Sequence, residues 1–409
     1  MIESTQTKNP TPASVQGPAG GHEPPHEPAA MLRPNSLTGN IQPRWFLPAC
    51  AAVSLLLSFA LVVLLGDAEE FSINWALWFV FAAVIHLVLA YVITLVRINR
   101  RKAKDMFWRN LIYVAFTLAL LPLVSVIMSV AIVGFQGLTN AGFLTSDMQG
   151  INASTDAGTQ EGEHGVLGGI RHAIIGSLVI TLMATLVSVP IGLLTSIYLV
   201  EYSQGGPLSR AITFFVDVMT GIPSIVAGLF GAAAMASFLS FADSLGIPVP
   251  GRSTMGVTAA IALSVLMIPV VVRTTEEMLR VVPNELREAS YALGVRKWRT
   301  ILKVVIPTAI SGIAAGVTLS IARVIGETAP ILLTAGFATR VNWNPFEGWM
   351  TTLPVFIYQQ FTRPMHPTYH DPSFQRAWAA ALILILIVMG LNLIARIIAT
   401  IFAPKKTGR

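Results

Sequence analysis

The chain is 409 residues long, 54% hydrophobic and only 12% charged, with a mean hydropathy of +0.66, whereas soluble domains carry about 25% charged residues. This excludes a soluble globular protein and defines an all-α polytopic membrane protein, because a helix satisfies its own backbone hydrogen bonds where no water can. The net charge of +6 and pI near 9.6 do not mark a nucleic-acid binder. The basic residues flank apolar runs and form no separate basic domain, so membrane topology and anionic membrane lipid account for them.

Residues 1–43 hold Pro10, Pro12, Gly20, Gly21, Pro24 and Pro25 with few large apolar residues, too little to offset ordering entropy, and are predicted to be a disordered cytoplasmic tail. No cleavable signal is visible in them. His22 and His26 lie four apart, but Pro24 and Pro25 oppose a helical ligand pair, and no metal site is expected. Eight apolar runs follow, at 47–66, 75–96, 110–133, 172–200, 212–240, 256–281, 305–335 and 378–403; a hydrocarbon core of about 30 Å needs roughly 20 such residues. The first two, with His86 the only titratable side chain well inside, form an N-terminal transmembrane hairpin over 44–104. Cys50 is the only cysteine, so no internal disulfide is possible.

Arg97, Arg100, Arg101, Lys102, Lys104 and Arg109 follow the second run, six more cations surround Glu288, and Lys405, Lys406 and Arg409 close the chain. Placing these basic loops inside puts both termini in the cytoplasm. The acidic loops then lie outside, with Asp67, Glu69 and Glu70, then Asp147, Asp156, Glu161 and Glu163. The outer loop at 140–165, rich in Gly, Ser, Thr and Asn, is expected to be mobile, and its Asn152-Ala153-Ser154 triplet is a weak glycosylation match. Gly228 with Gly231 and Gly312 with Gly316 suit close helix approach. Pro190, Pro223, Pro269 and Pro330 are expected to interrupt helices and free carbonyls where protein or a water-filled cavity covers them.

No phosphate loop, HExxH, paired CxxC or GxSxG is present, so no catalytic residue is assigned and any ATP must be hydrolysed by another chain. Five ionisable residues fall inside the runs: Asp217, Arg273, Glu276, Arg323 and Glu327. Each costs roughly 2.5 to 3.5 kcal/mol at a helix centre and so faces a cavity or a partner. Asp217, near the cytoplasmic end of its run, is expected to pair with a loop cation such as Arg210. Arg273 lies about 12 Å from the end of its helix and either serves a pathway or snorkels outward. Glu276 shares a face with Arg273 and Arg280, which fits an ion pair as well as a pathway. Arg323 is buried near the midplane if its long run is centred, or reaches outward if the bilayer begins at Val305, about 27 Å along the helix. Glu327, four residues on, shares its face and offers a structural pair. Gly326 and Pro330 favour a pathway, since they would loosen the helix and expose polar backbone. A guanidinium also suits an oxyanion, donating two parallel hydrogen bonds while staying charged in a dry site.

Between two apolar runs lies a polar loop, Glu288-Ala289-Ser290-Tyr291-Ala292-Leu293-Gly294, followed by Val304-Val305-Ile306-Pro307. Its spacing resembles the EAA loop of ABC importer permeases, whose short coupling helix docks on an ATPase subunit; Gly294 is expected to permit the turn between two short helices. Ile268 to Glu276, Leu286 to Gly294 and Ile321 to Pro330 are together similar to segments of the PstA permease family of phosphate-specific ABC importers. Gly221-Ile222-Pro223-Ser224-Ile225-Val226, Leu353-Pro354-Val355-Phe356-Ile357-Tyr358 and Arg376-Ala377-Trp378-Ala379 are similar too, and the resemblance spans roughly 110–403.

The resemblance implies a six-helix ABC importer permease core over 105–403, preceded by two extra transmembrane helices and followed by a cytoplasmic end at 404–409. It implies that Arg273 and Arg323 act in phosphate passage with Glu276 and Glu327 as charge partners, and that Glu288, Ala289, Ser290, Gly294 and Pro307 belong to the ATPase coupling loop. It also implies a bacterial plasma-membrane location, a paralogous permease partner forming a heterodimer, an ATPase subunit dimer that carries ATP and Mg, and an extracytoplasmic phosphate-binding protein. Ser290 stands where the loop motif usually has its second Ala, and the tail and first two spans have no counterpart in the six-helix pattern. The loop alone would equally fit permeases for sulfate, molybdate or phosphonate. An ATP-independent secondary transporter would leave the loop without a partner.

Overall fold

A computed structural model describes residue 43 and residues 45–65, 75–140, 142–203 and 205–401. The expected tail before Pro43, the pair His22 and His26, the acidic residues 67, 69 and 70, and the basic residues 405, 406 and 409 lie outside the described residues. Eight helices are long and apolar enough to cross a membrane, and no strand occurs among the described residues. The chain divides into two compact units, which meet in sequence between Leu121 and Pro122.

In the first unit, α1 (Phe46–Leu65) packs against α2 (Trp75–Arg97). Trp78 Nε1 donates to the Leu55 carbonyl at 3.0 Å, and Phe59 meets the Trp78 ring edge to face at 6.1 Å. Phe46, Cys50 and Met106 form its small core. Asn99 opens α3 (Arg100–Leu138), its side chain accepting from the Lys102 amide at 2.9 Å as a helix cap does. The division expected at 104/105 falls inside this continuous helix, which passes Leu121 into the second unit.

In the second unit, α4 (Ala153–Gln160) precedes α5 (Arg171–Ile197), which ends in a π-helical turn (Tyr198–Tyr202). Next come α6 (Pro207–Thr220), α7 (Ser224–Ser244) and α8 (Gly256–Val281). The short α9 (Asn284–Ala292) and α10 (Lys297–Thr300) lead through a second π-helical turn (Ile301–Val305) into α11 (Ile306–Val324). The chain ends with α12 (Ala329–Thr334), α13 (Leu353–Thr362) and α14 (Asp371–Ile401).

The most buried spanning helix is α8. In lipid, apolar side chains gain little by leaving the tails, so close backbone approach and interhelical hydrogen bonds supply the attraction. Both are present. Gly192 of α5 abuts Val271, while Gly312 and Gly316 of α11 abut Met278 and Thr274. Ser196 Oγ donates to the Val272 carbonyl at 2.8 Å. Gly231 lies against Ala262, and Gly228 against Pro330. The glycine pairs read from the sequence are therefore packing contacts.

Four expectations change. The run at 212–240 is not one span: α6 stops at Thr220 and α7 starts at Ser224, because Pro223 cannot continue the first helix yet presets the backbone for the second. The run at 305–335 likewise ends at Val324, before the Ile325-Gly326 turn. Pro190 and Pro269 lie inside the continuous α5 and α8 instead of interrupting them, so only Pro223 and Pro330 stand at helix starts. Finally, the described residues of the outer loop at 140–165 include a capped helix and a buried ion pair. Asn152 Oδ1 caps α4 by accepting from the Thr155 amide at 3.1 Å, and Asp156 is fully buried against Arg376.

Candidate functional site

Both helix breaks open on one cavity of about 300 Å³. Met219, Thr220, Ile222, Pro223 and Ser224 line it from the break between α6 and α7, Leu266, Pro269 and Val270 from α8, and Arg323 and Glu327 from the end of α11 and the turn after it. Leu266 and Val270 lie ten residues or so from the two ends of α8, about 15 Å at helical rise, so the cavity sits at the middle of this span. Arg323 therefore stands level with the middle of α8.

Among the described residues, neither Arg323 nor Glu327 has an ion-pair partner within 4.0 Å. The expected shared helical face does not exist, because α11 ends at Val324 and Glu327 follows in the turn. The two side chains border the same space without closing it. The guanidinium keeps its fork of five donors, and α7 begins at the cavity with Ser224, the amides of Val226 and Ala227 donating to the Pro223 carbonyl at 2.9 and 3.1 Å. A helix start carries partial positive charge. The hydroxyls of Ser224 and Thr220 also border this space, the latter donating to the Asp217 carbonyl at 2.6 Å.

Arg273 and Glu276 belong to a separate cluster. Arg273 is ion-paired with Asp217 of α6 and, at 2.9 Å, with Glu276, which also receives Arg280 at 2.6 Å. Asp217 thus pairs with Arg273 and not with Arg210 as expected. Glu276 is buried between its two arginines. Arg273 does not line the cavity; it lies one helical turn beyond Pro269, about 6 Å along α8, and ties α6 to α8 beside it.

The loop of Glu288 and Ala289 folds as two short helices. Gly294 forms the corner at φ +74°, with nothing within 4 Å of where a Cβ would sit. Ser290 Oγ and Thr300 Oγ1 meet at 2.8 Å across the corner; this buried bond is what the serine adds at a position where the motif usually has alanine. Pro307 stands in the first turn of α11, directly after the π-helical turn. Around the corner Leu286, Tyr291, Leu293 and Trp298 are exposed, Leu293 at 83%, although the loop is charged.

Sequence reasoning missed three ion pairs that span long stretches of chain: Asp217 with Arg273, Glu201 with Arg287, and Asp156 with Arg376. Only the last left a signal, in the motif containing Arg376.

Residues 188–408 match the family of binding-protein-dependent transport system inner membrane components. The chain belongs to this family: it is a membrane-spanning transport subunit, not an enzyme, and a multi-pass protein of the plasma membrane. It is 43% identical over 299 residues to the phosphate transport system permease protein PstA 1 of Mycobacterium tuberculosis, covering 73% of this chain and 90% of the relative. It is 42% identical over 294 residues to the PstA of Mycobacterium leprae (72% and 88%) and 40% over 243 residues to that of Pasteurella multocida (59% and 79%). Within the family it is therefore a PstA-type permease.

Proposed function

We propose that this subunit carries inorganic phosphate into a bacterial cytoplasm by alternating access. It works as half of a heterodimer with a paralogous permease, above a dimer of ATPase subunits that hold ATP and Mg, and below an extracytoplasmic phosphate-binding protein. The observation that carries the reading is Arg323, without an ion-pair partner among the described residues, in a cavity level with the middle of α8 and bordered by the start of a spanning helix. Phosphate is the substrate named for the relatives. Both termini and the loop of α9 and α10 face the cytoplasm, which the basic residues support. Closure of the ATPase dimer displaces α9, and the cavity opens to the other side. Net import requires that the inward-open state hold phosphate more weakly than the outward-open one.

A permease for sulfate or molybdate would share every feature except the substrate. The assembled complex in proteoliposomes, supplied with its binding protein, distinguishes them. Phosphate should stimulate ATP hydrolysis and accumulate inside, and a hundredfold excess of sulfate should leave both unchanged. Accumulation of sulfate in place of phosphate would overturn the substrate assignment.

A further inference from the structure

Arg287 of α9 turns inward, as Ser290 does, while its neighbours Leu286, Glu288 and Ala289 are exposed. Arg287 and Glu201 form an ion pair with side chains 12% and 4% exposed. Arg287 Nη2 and Nε donate to Glu201 Oε1 at 2.8 and 3.1 Å. Nη2 also donates to the Leu279 carbonyl at 2.9 Å, and Nη1 to the Val282 carbonyl at 2.6 Å and to Asn284 Oδ1 at 3.2 Å. One guanidinium therefore joins α9 to the last turn of α8 and to the π-helical turn that closes α5. The Leu279 carbonyl also accepts from the Val282 amide that caps α8, at 3.4 Å, and a cation at a helix C-terminus is favoured by the helix dipole. By contrast, the hydrogen bonds of Ser290 and Gly294 stay within the loop.

From Leu279, α8 runs without a break to Val270 at the cavity, about 14 Å away. Along that path it carries Arg273, tied to α6 through Asp217. We infer that Arg287 is the joint that delivers displacement of α9 to α8 and α5, a positioning residue that touches neither nucleotide nor anion. It makes the docking helix and the two core helices move as one body. A lysine at this position would keep the charge but not the planar fork that reaches a carboxylate and two carbonyls together. The inference rests on the reading of α9 as the docking element and goes beyond it by naming the link to the cavity.

The test uses the complete importer in proteoliposomes, with binding protein and phosphate, and measures phosphate accumulated per ATP hydrolysed. Arg287→Ala should lower that ratio about tenfold, with Arg287→Lys and Glu201→Gln falling between it and the wild type. The ATPase subunits should co-purify with each variant. A wild-type ratio in Glu201→Gln and Arg287→Lys would overturn the inference even if Arg287→Ala failed to assemble. Loss of the ATPase subunits from all three would overturn it as well, since the residue would then only build the docking surface. If the wild-type complex imports a different oxyanion, the phosphate reading fails, and the same ratio measured with that anion still tests Arg287.

Discussion

Spacing along a helix relates a charged side chain only to neighbours three or four residues away. It therefore made the contact of Glu276 with Arg273 and Arg280 legible, and left Asp217, 56 residues from its partner, and Asp156, 220 residues from Arg376, unread. Nothing in local spacing encodes a contact that tertiary packing creates. The Asp156–Arg376 pair is the most enclosed of these, with both side chains fully buried and Arg376 also donating to the Leu167 carbonyl, Gln360 and Ser373. Removing one partner of such a pair leaves a buried charge uncompensated, at about 3–5 kcal/mol. Asp156→Asn should accordingly lower the thermal midpoint of the detergent-purified complex, whereas the apolar double substitution Asp156→Leu with Arg376→Met should recover most of it. An unchanged midpoint in Asp156→Asn would contradict the role of this pair in holding α4 to α14.

For the helices themselves, the length of an apolar run reports that the chain crosses the membrane but not where the helix breaks. Pro269 and Pro223 look alike in sequence, yet Pro269 is carried inside α8 while Pro223 separates α6 from α7. The difference is tertiary: α8 is packed on several sides and tolerates one missing hydrogen bond, while Pro223 follows Gly221, which costs a helix further stability. Gly294 was legible, because a glycine between two short helical segments is read as a positive-φ corner and the structure places it at +74°. Since no atom crowds that site, a substitution there acts through the backbone alone, at about 1–2 kcal/mol for the left-handed conformation. Gly294→Val should reduce ATP-driven uptake at normal membrane abundance. Gly294→Asn, whose side chain tolerates this conformation, should keep most of it. Equal, normal uptake by both variants would argue against the corner's part in coupling.

At the scale of the whole molecule, the number of spans and the membrane class were legible from composition and run length alone. The central place of α8 and the meeting of two helix breaks in one cavity were not, because both depend on which helices become neighbours. Residues 1–43 are rich in Pro and Gly with few large apolar residues, and deletion of residues 2–40 should leave insertion and phosphate uptake within about twofold of the full chain. Loss of uptake by an assembled complex would instead give the tail a regulatory role.

The central claim is that Arg323 binds the transported anion and is not a structural partner of Glu327. Radiolabelled phosphate uptake by the reconstituted importer tests it with two variants. Arg323→Lys keeps the charge but loses the bidentate geometry, and Arg323→Gln combined with Glu327→Gln removes both charges together. Both complexes should assemble, the first with uptake lowered about tenfold or more and the second with none above background. Near-normal uptake by the double variant would contradict the account and leave Arg323 as a balancing charge only.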